Sequence, residues 1–93
     1  MSETVTRHLS IRGLVQGVGF RNYIACKAQQ LGIRGWVRNR SDGRVEAVVQ
    51  GSAAAVAAII ECAHRGPRAA QVNDVTVSET GGDYEEFGMR TTV

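Results

Sequence analysis

Leu9-Ser10-Ile11-Arg12-Gly13-Leu14-Val15-Gln16-Gly17-Val18-Gly19-Phe20-Arg21-Asn22-Tyr23-Ile24 changes its hydrophobic period partway along, and that change decides the fold. Upstream, Val5, Arg7, Leu9 and Ile11 fall on one face, with Thr6, His8, Ser10 and Arg12 on the other. Apart from Arg7, this is the alternation of a half-buried strand from Val5 to Gly13. Downstream, Phe20, Ile24, Ala28 and Leu31 recur at helical spacing, and Gly32 suits the left-handed position after a helix end. Between strand and helix lies Val15-Gln16-Gly17-Val18-Gly19, a short loop with two glycines.

Strand character returns at Trp36-Val37-Arg38-Asn39-Arg40. Ser41-Asp42-Gly43-Arg44 is a hairpin signal, because Asp-Gly supplies the positive φ angles of a tight turn, and the returning strand is Val45 to Gln50. Ser52 is a good N-cap for a second helix that buries Val56, Ile59, Ile60 and Ala63 and ends at Gly66-Pro67. A further strand runs from about Asp74 to Glu79. After the loop at Gly81-Gly82, Phe87-Gly88-Met89-Arg90 can add a short edge strand. The order βαββαβ, with that optional fifth strand, predicts an α+β ferredoxin-like sandwich, with two helices on one face of a mainly antiparallel sheet. At 93 residues this is one domain, residues 1–93, ending at Val93 as a free-standing protein.

Composition removes several function classes. With 43% hydrophobic and 22% charged residues the chain is an ordinary globular one. Its net charge of +2, spread over scattered Lys and Arg, does not predict a nucleic-acid partner. The longest apolar stretch, Ala53 to Ile60, is too short to cross a membrane, and Met1-Ser2-Glu3-Thr4 has no leader character. Cys26 and Cys62 lie far apart without CxxC partners and read as buried or half-buried free thiols of a reducing compartment, hence the cytoplasm.

The connectivity makes a site. A crossover helix forces the strands it joins to run parallel, so the loop after the first strand and the end of the second, near Asn39, share one sheet edge. The glycine loop leads into a helix N-terminus, whose first N–H groups lack intrahelical partners. Gly17 and Gly19 let several N–H groups converge on one oxyanion. Arg21 is locally unfavourable at that helix end unless an anion sits beside it, and its fork matches phosphate oxygens. The loop lacks the third glycine of a dinucleotide fingerprint and the lysine of a nucleotide P-loop. Taken alone it reads equally as a tight strand-to-helix turn.

Val15-Gln16-Gly17-Val18-Gly19-Phe20-Arg21, followed by Gly35-Trp36-Val37-Arg38-Asn39 and Asp42-Gly43-Arg44-Val45-Glu46, closely resembles the acylphosphatase family. Chain length and element order agree along nearly the whole chain. The resemblance implies hydrolysis of acyl phosphates to carboxylate and phosphate, without metal or other cofactor. It implies that Val15, Gln16, Gly17, Val18, Gly19 and Phe20 cradle the phosphate with their backbone, that Arg21 binds its oxygens, and that Asn39 orients the attacking water. The implied partner is a small-molecule acyl phosphate, and a monomer is expected. Two alternatives accompany this reading: a phosphate- or carbamoyl-phosphate-binding module of the kind found in larger maturation factors, and a single-stranded RNA binder. The second would expose aromatics on central strands, yet only 5% of residues are aromatic and the first and third strands have none.

The remaining residues have plainer readings. His8 and His64 are solvated surface histidines, Trp36 and Arg38 surface packing, and Tyr23 core or rim packing. Arg40 and Arg44 flank the hairpin. Glu46, Glu61, Glu79, Glu85 and Glu86 form no carboxylate pair.

Overall fold

A computed structural model describes residues 3–93, so the Met1 and Ser2 of the leader reading lie outside it. The chain forms β1 (Thr4–Leu14), α1 (Phe20–Leu31), β2 (Arg34–Asn39), β3 (Val45–Ser52), α2 (Ala53–Arg65), β4 (Gln71–Glu79) and β5 (Phe87–Met89). The five strands make one sheet in the order β4-β1-β3-β2-β5. β3 is antiparallel to both β1 and β2, so β1 and β2 run parallel with β3 between them. This is the ferredoxin-like α+β sandwich that the period change and the hairpin signal predict.

The core lies between the sheet and the two helices. Leu9 and Ile11 of β1, Val37 of β2, Val45, Ala47 and Val49 of β3, and Ile24, Ala28, Ile59 and Ala63 of the helices have no exposed surface. Ile60, expected among the buried residues of α2, is half-buried at the flank of that face. Phe20 is 1% exposed at the first position of α1. Burying such a side chain contributes about 1.5–3 kcal/mol, which anchors the start of the helix, not only its middle, to the sheet. The Tyr23 hydroxyl donates to Cys62 O at 3.0 Å, and the ring meets Phe20 edge-on with centroids 6.0 Å apart. α1 is thereby fixed to α2 and to the sheet close to its N-terminus.

The expected punctuation is present. Gly32 closes α1 at φ 68, with its N–H directed to Ala28 O and Gln29 O. Ser52 Oγ accepts from Ala55 N at 3.1 Å and caps α2. At the C-terminal side the strands depart from expectation. β4 begins at Gln71 rather than Asp74, because Gly13 and Leu14 continue the β1 ladder past an irregularity at Arg12/Gly13 and pair with Val72 and Gln71. β5 is present and pairs parallel with β2, with Arg90 N donating to Val37 O at 2.9 Å.

The face of the sheet away from the helices is more structured than surface readings suggest. His8 Nε2 and Glu46 Oε2 share a 2.6 Å hydrogen bond, while Glu46 Oε1 accepts from Arg38 Nε at 2.7 Å and from Arg40 Nη1 at 3.2 Å. His8 is therefore not a solvated histidine. It faces Glu46 because strand pairing sets its neighbours Leu9 and Ser10 opposite Ala47 and Glu46. Trp36 is only 8% exposed, covered by the guanidinium groups of Arg38 and Arg90 at 4.7 and 4.6 Å from its ring centre. Cys26 is exposed, against expectation, because α1 buries the face of Phe20, Ile24 and Ala28; Cys62 is half-buried.

Partial burial opposes ionisation of Glu46, but the hydrogen bonds from His8, Arg38 and Arg40 outweigh it and lower its carboxyl from 4.5 to about 2. The carboxylate therefore contributes stability that is fully present above the ordinary value and lost as pH falls through the lowered one. Glu46→Gln should cost about 1–3 kcal/mol near neutral pH, because it leaves two arginines without their shared counter-charge. Urea unfolding should show that gap between wild type and variant narrowing steadily as pH is lowered from about 5 to about 2. A gap independent of pH would dismiss the assignment.

Candidate active site

β1 and β2 end at the same sheet edge, and the loop after β1 meets the last residue of β2 there. Gly17 and Gly19 have φ angles of 74° and 80°. A Cβ added at either would meet no atom within 4 Å, so the backbone angle alone calls for glycine. Holding any other residue there costs about 1–2 kcal/mol. These two turns deliver the chain into α1, with Gly19 as N-cap.

The helix opens without a cap side chain and without an acid in its first turn. Its first intrahelical bond runs from Tyr23 N to Gly19 O at 3.0 Å, which leaves the N–H groups of Phe20, Arg21 and Asn22 without intrahelical acceptors. Partial positive charge collects at this end of the helix. The sequence offers nothing of its own to neutralise it and adds Arg21 instead.

A cleft of about 150 Å³ opens at this point. Val15, Gly17, Gly19 and Phe20 line one side, and Arg21, Asn39, Asn22 and Met89 complete it. Six of the eight residues singled out in the sequence thus border a common space. Gln16 and Val18 do not line it. The Gln16 amide turns the other way and donates to Arg40 O at 2.7 Å and Arg44 O at 2.8 Å, and Val18 packs against the core.

Arg21 and Asn39 are both half-buried. Arg7, Arg12, Arg38, Arg40 and Arg44 each face a carboxylate. Among the described residues Arg21 has no such partner, and the Asn39 amide makes no side-chain hydrogen bond. Both polar heads are left to the cleft. Among the described residues no group of three or more His, Cys, Asp or Glu is placed to hold a metal ion. No described helix is long and apolar enough to cross a membrane.

Asn22 and Met89 are the lining residues that sequence reasoning missed. Asn22 follows Arg21 on the first helical turn and was open to the same argument. Met89, 48% exposed, reaches the cleft only because β5 lies parallel beside β2, with Met89 opposite Val37, a pairing that no local pattern announces.

Comparison with known proteins points to one family. The family model for acylphosphatase matches residues 7–89. The chain is 52% identical over 91 residues to an acylphosphatase of Acidovorax sp. (strain JS42), covering 97% of this chain and 94% of that one. It is 54% identical over 86 residues to an acylphosphatase of Thiobacillus denitrificans, covering 92% and 97%. Among solved structures, an acylphosphatase from Coxiella burnetii superposes with a TM-score of 0.90 at 36% identity, covering 94% of this chain and 93% of the other.

Proposed function

Because the chain belongs to the acylphosphatase family, hydrolases of small acyl phosphates, we propose that its chemistry is carried by Arg21, Asn39 and the backbone of residues 15–20. The observation that supports this assignment is the convergence of Arg21, Asn39 and the α1 N-terminus on one cleft, with neither side chain engaged by any other described residue.

The phosphoryl group lies against the loop and the first helical amides, with the Arg21 guanidinium spanning two of its oxygens. The Asn39 side-chain carbonyl accepts a hydrogen bond from water and aims it at phosphorus. As the water oxygen bonds to phosphorus, the bond from phosphorus to the acyl oxygen breaks and its electron pair leaves with the carboxylate. The new phosphate releases the water's proton to solvent. A carboxylate leaving group, whose conjugate acid has a pKa of roughly 4, needs no general acid. Charge stabilisation and alignment therefore suffice, and neither requires a metal or a titrating side chain.

The protein acts in this reading as a cytoplasmic monomer formed by the single domain 1–93, and its two cysteines remain free thiols. The test is phosphate release from an aromatic acyl phosphate such as benzoyl phosphate, with and without a chelator. Release well above the spontaneous rate and indifferent to the chelator is expected. Release that the chelator abolishes would overturn the metal-free mechanism.

A further inference from the structure

Gln16 stands in the middle of the glycine loop, yet its side chain leaves the cleft. Its Nε2 lies 2.7 Å from Arg40 O and 2.8 Å from Arg44 O. A side-chain amide carries two N–H donors, and both are directed to carbonyls, which fixes the orientation of the whole group. The two acceptors are the carbonyls that close the β2–β3 hairpin: Arg44 O also accepts from Arg40 N at 2.8 Å, and Arg40 O accepts from Gly43 N at 3.1 Å. Gln16 thus completes a hydrogen-bonded ring joining the loop after β1 to the turn after β2.

The neighbours on either side give this ring a function. Val15 and Gly17 both line the cleft, and Asn39 immediately precedes Arg40. The loop that cradles the anion and the amide that aims the water belong to separate segments, and β3 lies between their parent strands. Nothing in the backbone ladder of either strand ties the loop directly to Asn39. We infer that Gln16 is a positioning residue, a strut setting the distance between the phosphate cradle and Asn39, and that it acts on turnover more than on phosphate binding.

The chemistry supports that division. Cradle and Arg21 can hold an anion wherever Asn39 lies, because their donors belong to the loop and α1. In-line attack requires the water to be placed correctly relative to the bound phosphoryl group, and a misplacement of about 1 Å costs on the order of a hundred-fold. The strut rests on the roles proposed above for Arg21 and Asn39, and the experiment separates the two.

Gln16→Met keeps the length of the side chain and removes both donors. Its kcat for benzoyl phosphate should fall about tenfold or more, with competitive inhibition by inorganic phosphate unchanged within about threefold. Gln16→Lys, whose ammonium can donate to both carbonyls, should recover part of the lost kcat. Gln16→Glu, the same shape with acceptors only, should not. The Lys and Glu variants also serve if Gln16→Met does not fold. An effect of charge on the anionic substrate would appear in KM, so kcat at saturation is the reading that decides. Equal kcat in the Lys and Glu variants, or a folded Gln16→Met within about twofold of wild type, would remove the strut while leaving the function intact. A wild-type protein that fails to hydrolyse benzoyl phosphate would remove the functional reading and the strut with it.

Discussion

Replacing Arg21 with alanine is expected to lower kcat/KM for an acyl phosphate by about a thousand-fold or more and to weaken inhibition by inorganic phosphate in parallel, in a protein at least as stable as wild type. The activity loss follows from what Arg21 supplies. In the proposed role it brings to the cleft the one permanent charge among the described residues that line it, in a planar fork suited to engaging two oxygens together. In that role its attraction would grow as phosphoryl charge is redistributed in the transition state, but it would also hold the ground-state anion, so binding and turnover should fall together. The expected stability rests on a separate argument. A cation on the first turn of a helix opposes the helix dipole by about 0.3–1 kcal/mol, and among the described residues Arg21 has no carboxylate partner to offset this. Alanine removes the conflict, so thermal unfolding should hold or rise while activity collapses. Arg21→Lys, which keeps a charge and loses the fork, should fall between the two. A variant that lost activity only by unfolding would show Arg21 to be structural.

That opposition between stability and use also explains how much was legible in the sequence. The helix start at Phe20 was visible because the hydrophobic period changes across Gly17 and Gly19, and a candidate site was suggested there because Arg21 violates a local rule and the crossover sets Asn39 at the same end of the sheet. Similar local chemistry exposed the hairpin, where Asp42 Oδ1 accepts from Arg44 N at 3.1 Å, and the second helix, where Ser52 supplies its cap. Contacts set by register stayed hidden. His8 and Glu46 meet because β1 pairs with β3, and Met89 enters the cleft because β5 runs parallel to β2. β4 was cut short for a similar reason: Gln71-Val72-Asn73 has little strand pattern of its own and is ordered by the edge that β1 offers it. The exposure of Cys26, by contrast, was readable from the helical face of Phe20, Ile24 and Ala28, since it lies off that face. Gln16 stands between the two cases. Its place in the loop was evident, but the targets of its amide lie across the hairpin and could be found only in three dimensions.

Asn39→Ala should separate what Arg21→Ala leaves joined. Asn39 ends β2, where it pairs with Val45 at the mouth of the hairpin, and its half-buried amide is committed to no other described residue. Truncation therefore breaks no internal hydrogen bond, and the change in stability should stay within about 1 kcal/mol. The proposed cradle is untouched, so inorganic phosphate should inhibit the variant within about threefold of its strength on wild type. Turnover should nevertheless fall by about a hundred- to a thousand-fold, the usual consequence of removing a polar group that acts on the transition state. Asn39→Asp gives a sharper version. It preserves shape and an acceptor for water but sets a negative charge against the bound phosphoryl oxygens, so it should lose phosphate affinity as well as turnover. Steady-state kinetics with benzoyl phosphate, phosphate inhibition and thermal unfolding on the three proteins decide the matter. Phosphate affinity lost equally in the alanine and aspartate variants would make Asn39 a binding residue and leave the attacking water without its guide.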